Sequence, residues 1–85
     1  MIIVRKPSAE EIETMQQQPT WGCGVSEFDW HYAQEETALI IEGEVTVDYN
    51  GGSVSFGAGD LVVFPQGMHC IWKVTKAVNK HYIFR

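Results

Sequence analysis

The residues able to do chemistry in this sequence fall into register with one another. Between positions 27 and 32 the pattern alternates strictly, with Phe28, Trp30 and Tyr32 on one face of an extended segment and Glu27, Asp29 and His31 on the other. Cys70 and Trp72 share a face with Met68 and Val74. Lys80 and Tyr82 share a face with Phe84. If these faces point inward, the interior collects Trp30, Tyr32, Glu36, Cys70, Trp72, Lys80 and Tyr82, with Trp21 and Cys23 as neighbours. An aromatic wall with a few convergent polar groups is the usual form of a small-molecule site. The competing reading makes the rings simply the core, since each large aromatic buries roughly 150–250 Å².

Glu36 carries the most information. A carboxylate inside a barrel is costly unless it is paired, protonated or metal-bound. Lys80 is the only lysine expected on an inward face, so Lys80 or the hydroxyl of Tyr32 or Tyr82 is its expected partner. In the alternative, Glu36 caps a strand end at the surface. Cys70 is either an inert buried thiol or a nucleophile whose thiolate a neighbouring cation would stabilise. His31 and His69 are expected to point outward, and an interior site using them would need a slipped register or a bulge.

Short strands must position these groups. Helix signals are confined to residues 7–17, where Ser8 and Glu11 form a capping box and only Ile12 and Met15 are apolar, which predicts a short surface helix. From about residue 20 to 85 the chain reads as strand and turn. Residues 37–42 form a strand ending at Gly43. Asn50-Gly51 marks a hairpin of the type that needs positive φ at both centres. Pro65-Gln66-Gly67 is another turn. The count comes to roughly eight or nine short strands at regular spacing, which argues for an all-β sandwich or barrel.

Two stretches carry a family resemblance. Glu36 followed by Gly43-Glu44-Val45 resembles the second half of the first cupin motif, and Gly59-Asp60 through Phe64-Pro65-Gln66-Gly67 resembles the start of the second. With Trp21, the 28–32 segment and the 70–72 and 80–82 segments, the pattern resembles the small single-domain cupins of the ureidoglycine aminohydrolase type. The resemblance, which runs from Lys6-Pro7 to Phe84, implies an all-β fold, a six- to eight-stranded antiparallel jelly-roll barrel; with the short N-terminal helix, the length makes 1–85 one domain. It also implies where a metal would sit: the His-x-His pair falls on Trp30 and Tyr32, the glutamate on Glu36 and the second-motif histidine on Cys70. The larger relatives in that group hydrolyse a ureido compound with manganese. Here only Glu36 and Cys70 remain competent ligands, so a full site for a divalent transition metal is not expected.

Composition bounds the function. A 45% apolar and 20% charged chain of 85 residues is globular rather than disordered. A net charge of −5 with scattered cations argues against nucleic acid. No apolar run approaches the ~20 residues of a membrane span. The opening Met1-Ile2-Ile3-Val4 is too short for a signal peptide, so a cytoplasmic protein with both thiols reduced is expected. The expected function is small-molecule binding without a full metal site. The alternatives are an enzyme using Glu36 and Cys70, and a homodimeric module paired through edge strands such as Ile2-Ile3-Val4.

Overall fold

A computed structural model describes all residues, 1–85. Strand β1 (Ile3–Arg5) and helix α1 (Ala9–Met15) precede β2 (Thr20–Cys23), β3 (Ser26–His31), β4 (Glu36–Tyr49), β5 (Gly52–Gly57), β6 (Leu61–Phe64) and β7 (His69–Phe84). All pairings are antiparallel. One sheet runs β1-β6-β4-β7-β2, while β3 lies against the first half of β7 and β5 against the second half of β4. Both halves of the barrel therefore share β4 and β7, which pair with each other from Glu36↔Phe84 to Asp48↔Ile71.

The expected eight or nine short strands are seven, because two punctuation points do not end a strand. The run after Thr37 does not stop at Gly43. The register of β4 on β7 shifts at Ile40/Glu42, Glu42/Glu44 and Glu44/Val45, and Gly43 sits there with φ +102. Such bulges bend a strand and raise its twist without ending it. Glycine is required, since an added Cβ would lie 2.5 Å from the Ala77 carbonyl oxygen. Residues 69–74 and 80–84 are likewise parts of one bent strand. The remaining turns follow the expected chemistry: Asn50 and Gly51 both have positive φ in the β4–β5 hairpin, and Asp60 accepts a hydrogen bond from the Gly57 amide at 2.9 Å.

Helix α1 starts at the expected capping box, with the Ser8 hydroxyl accepting from the Glu11 amide and Glu11 accepting from the Ser8 amide. It is shorter than the 7–17 segment. Ile12 and Met15 pack on Leu39, Leu61 and Ile83, so the outer face of β4 is covered as well as the inner one. That is why residues 36–40 are buried without alternation. The main core lies inside the barrel around Tyr32, Phe64 and Trp72. Val25, in phase with Trp21 and Cys23 by simple alternation, is 72% exposed because a bend separates β2 from β3. The segment Ile3–Arg5 is an edge strand as expected, paired to β6 of its own chain.

Candidate functional site

A cavity of about 160 Å³ is walled by β2, β3, β7 and the start of β4. Each wall comes from the inward phase of a strand. Trp21 projects from β2, Phe28 and Trp30 from β3, Glu36 from the start of β4, and Trp72, Lys80, Tyr82 and Phe84 from β7. Tyr32 enters from the segment after β3. Its backbone amide donates to the Met68 carbonyl and its carbonyl accepts from the Gly67 amide, so the Pro65-Gln66-Gly67 turn holds the ring in place.

Of the seven expected site residues, six line the cavity. The seventh, Cys70, sits in the adjoining core and does not. It faces Trp30 across the β3–β7 ladder. Burial pushes its thiol up to about 11, helped by the nearby negative charges of Asp29 and Glu36. A thiol held in that state is a poor nucleophile. His31 and His69 face each other on the outside, with His69 3.8 Å from Asp29.

Three cavity-lining rings fall outside that set of seven: Trp21, Phe28 and Phe84. Phe28 lies in phase with Trp30 and Phe84 with Tyr82, so alternation alone could have found both, while Trp21 had been placed beside the set as a neighbour. Trp21 meets Phe28 and Trp72 edge-on at 6.3 and 6.2 Å, and Phe28 stacks on Trp72 at 6.0 Å. Trp21 and Trp30 remain 39% and 46% exposed, and these rims open the cavity to solvent.

The polar part of the site is Glu36, Lys80 and Tyr32. Glu36 is 1% exposed and Lys80 6%. Lys80 Nζ donates to Glu36 Oε2. The surface-cap reading of Glu36 is thereby excluded, and Lys80 is its partner. The ladder places Lys80 opposite Ile40 and Glu36 opposite Phe84, so the long lysine reaches diagonally across four residues of register. Its ammonium lies 4.7 Å from the Trp72 ring centre and 5.2 Å from that of Trp21, with Phe64 and Tyr82 near 6 Å. Such faces attract a cation. Burial nevertheless lowers the Lys80 ammonium below the usual lysine range, against the upward pull of Glu36. The Tyr32 hydroxyl accepts from the Trp72 indole N–H at 3.1 Å and stacks on Phe64 at 4.9 Å. Burial and the Glu36 charge raise its pKa far above the ordinary phenol.

The residues present do not fit a cupin metal. Trp30 offers no ligand lone pair. The Glu36 carboxylate is engaged by a cation, and coordination by Cys70 would need a thiolate its surroundings disfavour. No three His, Cys, Asp or Glu side chains converge anywhere in the chain.

The antiparallel jelly-roll barrel, its glycine-marked bends and its aromatic-lined interior define a cupin. More narrowly, the chain belongs to the EutQ-like cupin domain family, whose model matches residues 10–82. A DUF861 family protein from Thermotoga maritima is 40% identical and superposes with a TM-score of 0.96 over all of both chains. A DUF861 family protein of unknown function from Pseudomonas syringae pv. tomato is 31% identical, with a TM-score of 0.70 over 78% of this chain and 29% of its own. The acetate kinase EutQ of Clostridioides difficile is 30% identical over 63 residues, 68% of this chain. The chain spans 40% of that relative's length. No helix is long and apolar enough to cross a membrane.

Proposed function

We propose that this cupin binds a small neutral molecule, an apolar body carrying a head that both donates and accepts hydrogen bonds, such as an amide or alcohol. The observation that carries the reading is the buried Glu36–Lys80 pair at the wall of an otherwise aromatic cavity. An ammonium has three N–H donors, and Lys80 uses one of them on Glu36. Lys80 takes one oxygen of the Glu36 carboxylate, whose several lone pairs leave room for a further donor. A donor–acceptor head therefore finds a complement to each of its functions. A charged head does not: a carboxylate would face Glu36 and an amine would face Lys80, each in low dielectric where like charges repel strongly. The cavity volume is close to the ~150 Å³ at which an apolar protein cavity accepts benzene, so a single ring or its aliphatic equivalent is the size class.

The acetate kinase activity named for the Clostridioides difficile relative is not carried across. A transferring phosphoryl group needs several cations or amides around it, and this cavity presents one lysine beside a carboxylate. A ureido hydrolase activity of the ureidoglycine aminohydrolase type leans on a metal whose positions are held here by Trp30, Tyr32 and Cys70. Catalysis through Cys70 is disfavoured because the thiol is off the cavity and kept protonated. A homodimer joined at β1 is compatible with binding, since Ile3 is half exposed on that edge, and sizing chromatography decides it.

Trp21, Trp30 and Trp72 make the cavity its own reporter. Tryptophan fluorescence titrated with benzamide, benzyl alcohol, benzoate and benzylamine should respond to the two neutral compounds at concentrations at least ~10-fold lower than to the two ions, given the 2–5 kcal/mol penalty of an unpaired buried charge. Equal responses to all four, or preference for an ion, would overturn the reading.

A further inference from the structure

Lys80 differs from the other three lysines. Lys6, Lys73 and Lys76 are paired at the surface with Asp60, Asp48 and Glu44. Lys80 alone is buried, enclosed by rings, reachable through the Trp21–Trp30 rim, and hydrogen-bonded to a carboxylate that can take its proton. We propose that Lys80 captures small apolar aldehydes and ketones as an imine, with Glu36 moving the protons. The inference rests on the cavity being a binding site.

The step balances within the pair. Moving one proton from Nζ to Glu36 along their hydrogen bond gives a neutral amine and a carboxylic acid, which frees the nitrogen lone pair without leaving a buried charge unpaired. The amine lone pair attacks the carbonyl carbon, a C–N bond forms, and the carbonyl π electrons move to oxygen. A proton passes from nitrogen to that oxygen through Glu36, leaving a neutral carbinolamine. The C–O bond then breaks, the hydroxyl takes the Glu36 proton and departs as water, and the nitrogen lone pair closes the C=N bond. The products are an iminium paired with the Glu36 carboxylate, and one water. No proton is exchanged with solvent, and no oxidant, reductant or metal is needed. The aromatic walls present π faces to the iminium as they do to the ammonium. Amines desolvated in hydrophobic pockets are a recurring source of such nucleophiles.

Benzaldehyde with sodium cyanoborohydride tests this, because hydride reduction of the imine carbon leaves a stable benzyl group. Peptide mapping should find Lys80 benzylated at least ~10-fold faster than Lys6, Lys73 or Lys76, general acid–base help being worth 10²–10⁴-fold. Glu36→Gln should slow Lys80 labelling by a similar factor, and Glu36→Asp, which keeps a carboxylate, by less. Labelling of Lys80 no faster than that of the surface lysines overturns the proposal, and undiminished labelling in both variants overturns the role of Glu36. Benzyl alcohol separates the two levels. If it quenches tryptophan fluorescence while Lys80 stays unlabelled, imine formation fails and the binding site stands. If it does not bind and Lys80 is also unlabelled, both fail.

Discussion

Lys80 and Glu36, 44 residues apart in the chain, form the only ion pair in the protein that is closed to solvent. Every other pair lies at the surface, where such contacts contribute about 0–1 kcal/mol. The buried pair behaves differently, because the desolvation of each charge is offset mainly by the other. Its arrangement is a product of strand phase. β4 and β7 run antiparallel along their whole lengths, and the even-numbered residues at the Glu36–Phe84 end share the inner face.

The first prediction follows from that mutual dependence. Lys80→Met leaves the Glu36 carboxylate buried and unpaired, and should cost about 3–5 kcal/mol. Adding Glu36→Leu to that variant removes the orphan charge and should restore most of the loss, to within ~1–2 kcal/mol of the parent. Urea unfolding of the two single variants and the double variant reads this as a coupling energy. Additive losses would mean the two groups stand independently, against the geometry.

A second prediction separates the two cysteines, which are both free. Cys70 is buried, and its thiol is raised to about 11 by burial, Asp29 and Glu36. Cys23 is half-buried near the end of β2, with its sulfur 3.7 Å from the Ser26 hydroxyl. Since the thiolate is the reactive form, iodoacetamide at pH 8 should modify Cys23 first and leave Cys70 intact until the protein is unfolded. Mass spectrometry of timed samples checks it. Early modification of Cys70 in folded protein would show that the barrel opens locally or that the thiol is more ionised than its surroundings imply.

How far the site could be read from sequence depended on which rule governed each residue. Alternation placed Trp30, Tyr32, Trp72, Lys80 and Tyr82 on the inner face because each strand keeps its phase locally. The Glu36–Lys80 contact was foreseeable because a buried carboxylate needs a partner and only one lysine was in phase. The same logic put Cys70 on the inner face, where it is buried in the core but does not line the cavity. Being on the inner face is not the same as lining the cavity, and depth along a strand is set by barrel curvature, which alternation does not encode. The length of β4 was missed for a related reason. Glycine in a strand can mark an end or a bulge, and only the pairing of Gly43 against Ala77 and Val78 tells which. The capping box of α1 was legible because its hydrogen bonds are local, whereas the contact of Met15 with Leu39 and Leu61 is tertiary.

The third prediction concerns acid. Glu11 accepts two bonds from the Arg5 guanidinium and one from the Ser8 amide, and these hold its carboxyl down to about 2. Its folded pKa lies below the unfolded value, so the pair stabilises the folded state above about pH 4.5 and the gain is lost as pH falls from there toward 2. The carboxylate is exposed, so the effect is small and salt-sensitive. Thermal melts of the parent and Glu11→Gln should differ at pH 6 and converge by pH 2. A difference that stays constant across that range would show that Glu11 acts through helix propensity rather than charge.

The fourth prediction tests whether the bend in β4 depends on Gly43. Alanine there meets two independent penalties. The backbone sits at φ +102, where a Cβ is strained by at least ~1–2 kcal/mol. The same Cβ would lie 2.5 Å from the Ala77 carbonyl oxygen and 2.6 Å from Val78 Cα, both backbone atoms that a side-chain rotation cannot move away. Gly51, in the β4–β5 turn, shares the first penalty with φ +75 but has nothing within 4 Å of an added Cβ. Gly51→Ala should therefore cost about the conformational strain alone, while Gly43→Ala should lower the urea midpoint substantially further. It should also disturb the site, because the bulge sets the phase in which Ile40 faces Lys80 and hence where Nζ arrives beside Glu36. Equal midpoints for the two variants would show that β4 can bend without the close approach of Gly43 to β7.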